Sequence, residues 1–274
     1  MRHSLRRQLK PMPKATHFLA GLPRTGSTLL GSIMAQNPLI HVTPTSPLCP
    51  LLSSISDTFR TLDNQYTFDH DKISRRIYRS TISAFHKDVK QPIILDKHRA
   101  WPKYVPAIKQ YLSKNPKIIC TVRPVPEIIA SYLKLAELDE NNFIDTHLKK
   151  LNEIICHESR ANLLWQFYIK PVYDGMMEGL ALYPESVLLI EYRDLVFHPK
   201  RTLESIYKFC ELAPFEHSLT GIENRCAEDK DDAWGMKNLH VIRPSLKMES
   251  ISPAAYLPQP AIKYFEQFDV RRTA

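Results

Sequence analysis

Short apolar runs alternate along this chain with longer stretches of helical periodicity. His17–Ala20, Pro92–Leu95, Lys117–Val122 and Ser186–Glu191 are brief and apolar, and the last three are rich in branched side chains, as expected of strands buried on both faces. Between and after them, Leu29–Gln36, Lys72–His86, Glu127–Glu137, His147–Tyr168 and Arg201–Leu212 carry helix-like patterns. Strands that alternate with helices, with few hairpin signals, predict a single α/β domain in which helices flank a central parallel sheet. Asn37–Asp71, with several prolines and scattered hydroxyl residues, reads as surface loops with short helical turns. The Pro-interrupted segment after Trp234 reads as irregular cover over the sheet edge.

In an open parallel sheet, ligands sit outside the carboxyl ends of the strands, so chemistry should appear where each apolar run stops. Four polar clusters do. The first, Leu22-Pro23-Arg24-Thr25-Gly26-Ser27-Thr28, joins an apolar strand to an apolar helix. Such a turn gathers backbone N–H groups at the positive end of a helix dipole, with the Ser27 and Thr28 hydroxyls beside them, and makes an anion cradle. It is P-loop-like, but it lacks the Gly-Lys pair of ATP and GTP sites, and its one cation is Arg24. The second cluster, Asp96-Lys97-His98-Arg99, follows the strand that ends at Leu95. Asp96 alone suits a Mg²⁺ site, which would favour a kinase or other NTPase. The third places Arg123 on a strand-to-helix loop and Ser131 eight residues on, within the helix that Pro126 opens. The fourth is Glu191-Tyr192-Arg193-Asp194-Leu195, followed by Pro199 and an amphipathic helix.

These four clusters, in this order, resemble the sulfotransferases that use 3'-phosphoadenosine 5'-phosphosulfate (PAPS). The resemblance spans roughly residues 15 to 212 and implies a donor site built from Arg24, Thr25, Gly26, Ser27 and Thr28 at the 5' end. Arg123 and Ser131 would take the 3'-phosphate, with Tyr192 near the cofactor and Lys237 or Arg243 reaching in from the basic loop Trp234–Pro244. Arg24 and Lys97 would stabilise charge on the leaving oxygen. The family's general base has no clear counterpart. The protein-tyrosine branch has a Glu where this chain reads His41–Pro47, and the small-molecule branch has a His two positions past the lysine, where this chain has Arg99. His98 ranks first for that role, ahead of Asp96 and His41.

Charge and composition narrow the picture further. At 274 residues and 43% apolar, the chain can bury a full core, and one domain over 15–274 behind a basic tail over 1–14 is expected. The formal charge of +8 lies in the ends: without Arg2, Arg6, Arg7, Lys10, Lys14, Arg271 and Arg272, 30 basic residues face 29 acidic ones. A nearly neutral body argues against a nucleic-acid groove. Five cysteines with no C-x-x-C pair predict free thiols and a cytoplasmic protein, and no span is long enough for a membrane helix. No cluster has metal-ligand spacing, so transfer without a metal is expected. The acceptor, whether small molecule, glycan or peptide, and the oligomeric state are not written in the pattern. Two other readings stay open: a P-loop kinase or NTPase using Mg-ATP, and a sulfotransferase-like module that binds nucleotide without catalysis.

Overall fold

The structure, a computed structural model, describes residues 15–61, 69–226, 231, 235–248 and 251–270. The two terminal tails that hold the excess charge lie outside the described residues.

Five strands form one parallel sheet: β1 (Ala15–Gly21), β2 (Ile40–Thr45), β3 (Ile93–Lys97), β4 (Ile118–Val122) and β5 (Val187–Glu191). Their order is β2-β3-β1-β4-β5. In register, Ala15 lies opposite Ile93 on one side of β1, and Phe18 lies opposite Ile118 on the other. The central position of β1 places its carboxyl end between those of β3 and β4.

Strand side chains alternate between faces, and each face has its own core. Phe18 and Ala20 point into the larger one, with Trp101, Trp165 and α5 (Val125–Glu137). Leu19 points into the smaller one, against Leu30 and Ile33 of α1 (Ser27–Met34) and Ile206 of α10 (Pro199–Phe209). The larger side also takes α2 (Leu48–Thr61), α3 (His70–Phe85), α4 (Val105–Tyr111) and α8 (Lys170–Leu182). A six-residue α9 (Tyr192–Phe197) connects β5 to α10.

Three expectations need correction. Asn37–Asp71 is not mainly loop, because it holds β2 and the 14-residue α2. Ile40 and Val42 are buried on one face of β2, and Pro44 is tolerated because β2 is an edge strand, with no second neighbour to receive an N–H. Pro50 in the first turn of α2 costs no helix hydrogen bond.

The pattern over His147–Tyr168 is not one helix. Asn142 caps α6 (Phe143–Lys150) by accepting the Asp145 N–H at 2.9 Å. Asn152 at φ 56° then turns the chain out, and α7 (His157–Leu163) begins anew and passes through one widened turn into α8.

The described residues after Trp234 are irregular only as far as Ser252. α11 (Gln259–Glu266) follows and packs Ile262 and Phe265 into the larger core. The irregular part lies across the strand ends rather than along the sheet edge, and that displacement shapes the site.

Candidate active site

The loop after β1 is set by two close approaches. Gly21 (φ 141°) lies so near β4 that a Cβ would meet the Thr121 carbonyl oxygen at 2.4 Å. At Gly26 (φ 84°) a Cβ would meet Tyr192 Cδ2 at 2.6 Å. Between them, Thr25 is fully buried, and its hydroxyl contacts the Leu22 carbonyl and Thr121 Oγ1, both at 2.6 Å. These inward bonds fold the loop tightly and leave Ser27 and Thr28 at the mouth. α1 begins there with no side-chain cap on its first amides, an arrangement suited to an anion.

Cations converge on this helix start from three elements. Lys97 ends β3; its N–H donates to Thr43 Oγ1 at 2.8 Å, and its Nζ donates to Thr28 Oγ1 at 2.9 Å. Arg24, held at φ 60°, donates from Nε to Ser131 Oγ on α5 at 3.2 Å and from Nη1 to the Leu239 carbonyl. Burial above all lowers the pKa of its guanidinium, with Arg123 adding to the effect. Arg123 donates from Nε to Glu127 Oε2 at 2.8 Å and lies 5.1 Å from the centre of the Tyr192 ring. Its Nη2 is buried and has no hydrogen-bond partner.

These groups share one cavity of about 420 Å³ at the carboxyl ends of β1, β3 and β4. Seven Lys and Arg side chains line it and, among the described residues, no Asp or Glu does. One wall is the α5 face that carries Ser131, Lys134 and Leu135, with Leu138 just past the helix end. Another part of the wall comes from the irregular strap of residues 235–248, through residues between Asn238 and Lys247.

Of the residues expected from sequence, Arg24, Gly26, Ser27, Thr28, Lys97, His98, Arg123, Ser131 and Tyr192 all line this cavity. Thr25 and Lys237 do not. The Thr25 hydroxyl is used within the loop, and the Lys237 side chain is exposed while its N–H donates to Asp139 Oδ2 at 3.0 Å. Arg243, the alternative to Lys237, lines the cavity.

Asp96 points away from the cavity. It is fully buried, accepts the Trp101 indole N–H at 3.0 Å and lies 3.3 Å from His86 Nε2. Because neighbouring strand residues face opposite sides, a cavity-facing Lys97 requires this. His41 also lies outside the cavity wall.

His98 is on the wall, with its Nδ1 accepting the Ala100 N–H at 3.2 Å. Burial first, and then Arg99, lowers its pKa, which favours the neutral ring. Sequence reasoning did not single out Lys134 or Lys247. Lys134 shares a helix face with Ser131, a spacing visible in sequence, whereas nothing local marks Lys247.

No helix among the described residues is long and apolar enough to cross a membrane, and no group of three His, Cys, Asp or Glu among them is placed to hold a metal ion. All five cysteines are free thiols.

A parallel sheet of this order, with a left-handed glycine loop feeding an uncapped helix and cations gathered around it, defines a P-loop-like α/β protein. The model of the sulfotransferase family matches residues 17–217, and the chain belongs to that family. No curated protein matches it by sequence. Among solved structures it is similar to the sulfotransferase domain from the curacin biosynthetic pathway, at 17% identity and a TM-score of 0.57, over 96% of this chain and 99% of that one. It is also similar to the sulfotransferase domain of the Synechococcus PCC 7002 olefin synthase, at 18% and 0.55, over 93% and 94% of the two chains. Sulfotransferase STF9 from Mycobacterium avium aligns at 14% and 0.51, over 92% and 75%. At these identities the likeness concerns the fold.

Proposed function

We propose that this chain transfers a sulfuryl group from PAPS to a hydroxyl or amine of an acceptor, without a metal. The observation that carries this reading is the buried, unpartnered Nη2 of Arg123. Arg123 lines the same cavity as the uncapped start of α1, and among the described residues no carboxylate lines that cavity.

A buried donor without an acceptor is costly, about 1–3 kcal/mol, unless a ligand supplies one. Two anionic positions, one at Arg123 and Ser131 and one at the loop, suit a nucleotide with phosphates at both ends. The volume lies within the range of small-molecule sites, about 300–1,000 Å³. Ser27, Thr28 and the first amides of α1 would hold the 5' end, and Arg123, Ser131 and Tyr192 the 3'-phosphate. Arg24 and Lys97 would face the charge that develops on the departing oxygen. The donor supplies the activated sulfuryl group; the chain's part is to place and screen it.

The kinase reading depends on a carboxylate for Mg²⁺ at the phosphates. Asp96, its candidate, is buried against Trp101 and His86, so this reading lacks its central group. The non-catalytic module remains a direct competitor, because neither the Glu nor the His that the resemblance implies as base has a counterpart at its place, where this chain reads His41–Pro47 and Arg99.

Calorimetry with adenosine 3',5'-bisphosphate, and separately with ATP and Mg²⁺, tests the donor site. The bisphosphate is expected to bind without metal, and Arg123→Ala to weaken it about 10- to 150-fold, the worth of hydrogen bonds to a charged group. Preference for Mg-ATP, or indifference to Arg123→Ala, would overturn the assignment.

A further inference from the structure

The donor groups assigned above lie toward one side of the cavity. The sheet order puts β3 and β4 on opposite sides of β1. Neighbouring strands lie about 4.8 Å apart, so the ends of β3 and β4 are separated by about 10 Å. Arg123 and Ser131 follow β4, and Lys134 shares the Ser131 helix face. Lys97 ends β3, and His98 and Arg99 come directly after it, across the loop that follows β1. A nucleotide laid from Arg123 to that loop leaves the β3 side for the acceptor.

Arg99 is the cation on that side with no task in holding the donor. It is half-buried, lines the cavity, and makes no hydrogen bond or ion pair with any described residue. Its neighbours in the cavity are engaged: Arg24 with Ser131 and Leu239, Lys97 with Thr28, and Arg123 with Glu127. The backbone around Arg99 is held on both sides. His98 N–H donates to the Leu19 carbonyl of β1 at 3.0 Å. Trp101, two residues beyond Arg99, is buried at the start of a short helical turn and donates its indole N–H to Asp96 at 3.0 Å. A side chain carried on a fixed turn can discriminate between ligands.

A guanidinium accepts no proton, so what Arg99 offers is positive charge and a planar fork of N–H donors, the match for a carboxylate, phosphate or sulfate. His98 adds a donor of its own. Its Nδ1 accepts the Ala100 N–H at 3.2 Å, which leaves the proton of the neutral ring on Nε2. Among the described residues no carboxylate lines the cavity to answer either group.

We propose that the acceptor is an anion: besides the hydroxyl or amine that takes the sulfuryl group, it carries a carboxylate, phosphate or sulfate, and Arg99 holds that group with His98 beside it. The inference rests on the sulfuryl-transfer reading above and deepens it by naming the acceptor's chemical class. Arg99 is thereby a specificity-determining residue, which selects the acceptor and leaves the departing oxygen to Arg24 and Lys97.

The test uses the full chain saturated with adenosine 3',5'-bisphosphate, and reads the side-chain ¹⁵Nε–¹H signal of Arg99, assigned by its loss in Arg99→Gln. The probes are para-hydroxybenzoate, para-hydroxyphenyl phosphate and the neutral methyl ester of the first. Both anions are expected to shift the Arg99 signal and the ester to leave it in place, and the tighter anion shows whether a carboxylate or a phosphate fits better. A signal indifferent to both anions, or moved equally by the ester, would overturn the inference, whereas the bisphosphate calorimetry above judges the sulfuryl-transfer reading by itself.

The second readout is bisphosphate release from PAPS with the same compounds as acceptors. The wild type is expected to favour the anions over the ester in kcat/KM by about tenfold or more, and Arg99→Gln to erase that preference with the bisphosphate Kd within about twofold of wild type. Arg99→Lys, which keeps the charge and loses the fork, is expected to fall between the two. Equal losses for anions and ester in Arg99→Gln would assign Arg99 to the sulfuryl group and refute the inference. A preference that survives Arg99→Gln would give the anion to another cation and refute it as well.

Discussion

Gly26→Ala should damage both the fold and the donor site, and the two costs can be separated. The residue sits at φ 84°, where an L side chain costs about 1–2 kcal/mol. The added methyl would also lie 2.6 Å from Tyr192 Cδ2, about 1 Å inside an ordinary carbon contact. The ring edge cannot rotate out of the way as the end of a flexible chain would, so the ring must shift. An overpacked contact of this kind costs about 1–3 kcal/mol more. The sum, about 2–5 kcal/mol, is measurable by urea unfolding followed through tryptophan fluorescence. Because Tyr192 stacks on Arg123 at 5.1 Å, the shift should also weaken bisphosphate binding, read by calorimetry. A double-mutant cycle isolates the contact: in a Tyr192→Ala background, Gly26→Ala should cost only the backbone share. If Gly26→Ala costs under about 0.5 kcal/mol, or costs the same in both backgrounds, the packing of α9 against the loop is not what holds it.

The remaining predictions concern carboxylates outside the cavity. Asp96→Asn should lower stability by about 1–3 kcal/mol, because a buried acceptor for Trp101 and His86 is altered, and leave bisphosphate affinity unchanged; a selective loss of nucleotide affinity in calorimetry would restore Asp96 to the site. Asp145 offers a pH test. Burial pushes its carboxyl up, but two Arg160 hydrogen bonds of 2.7 Å each, with Asn142, outweigh that and hold it below its ordinary value. A depressed carboxyl binds its proton less readily folded than unfolded, so its stabilisation is present above the unfolded pKa of about 4 and is lost as pH falls through the folded one. Unfolding curves between about pH 6 and 3 should therefore converge for wild type and Asp145→Asn, and parallel curves would refute the assignment.

What could be read from sequence, and what could not, divides on whether the determinant is local. The loop at 22–28, Lys97 after its strand and the Arg123–Ser131 pair each sit where an apolar run ends, so periodicity alone brings them to one edge of one sheet. Thr25 shows the limit of that reasoning: a hydroxyl in an anion loop reads as a ligand, yet its direction depends on Thr121, a residue 96 positions away. Asp96 fails for a related reason, since the alternation that aims Lys97 into the cavity aims its neighbour into the core.

The strap is the clearest case. His240 and Arg243 stand in a stretch with no helical or strand period, and their place in the cavity wall comes from contacts made at long range, Leu239 to Arg24, Gly235 to Phe143 and Lys237 to Asp139. Each of those is a backbone group of the strap meeting a partner more than 90 positions earlier in the chain. Backbone partners leave no trace in residue identity. The strap's neighbours are therefore not legible in a sequence that displays its cations and its histidine openly.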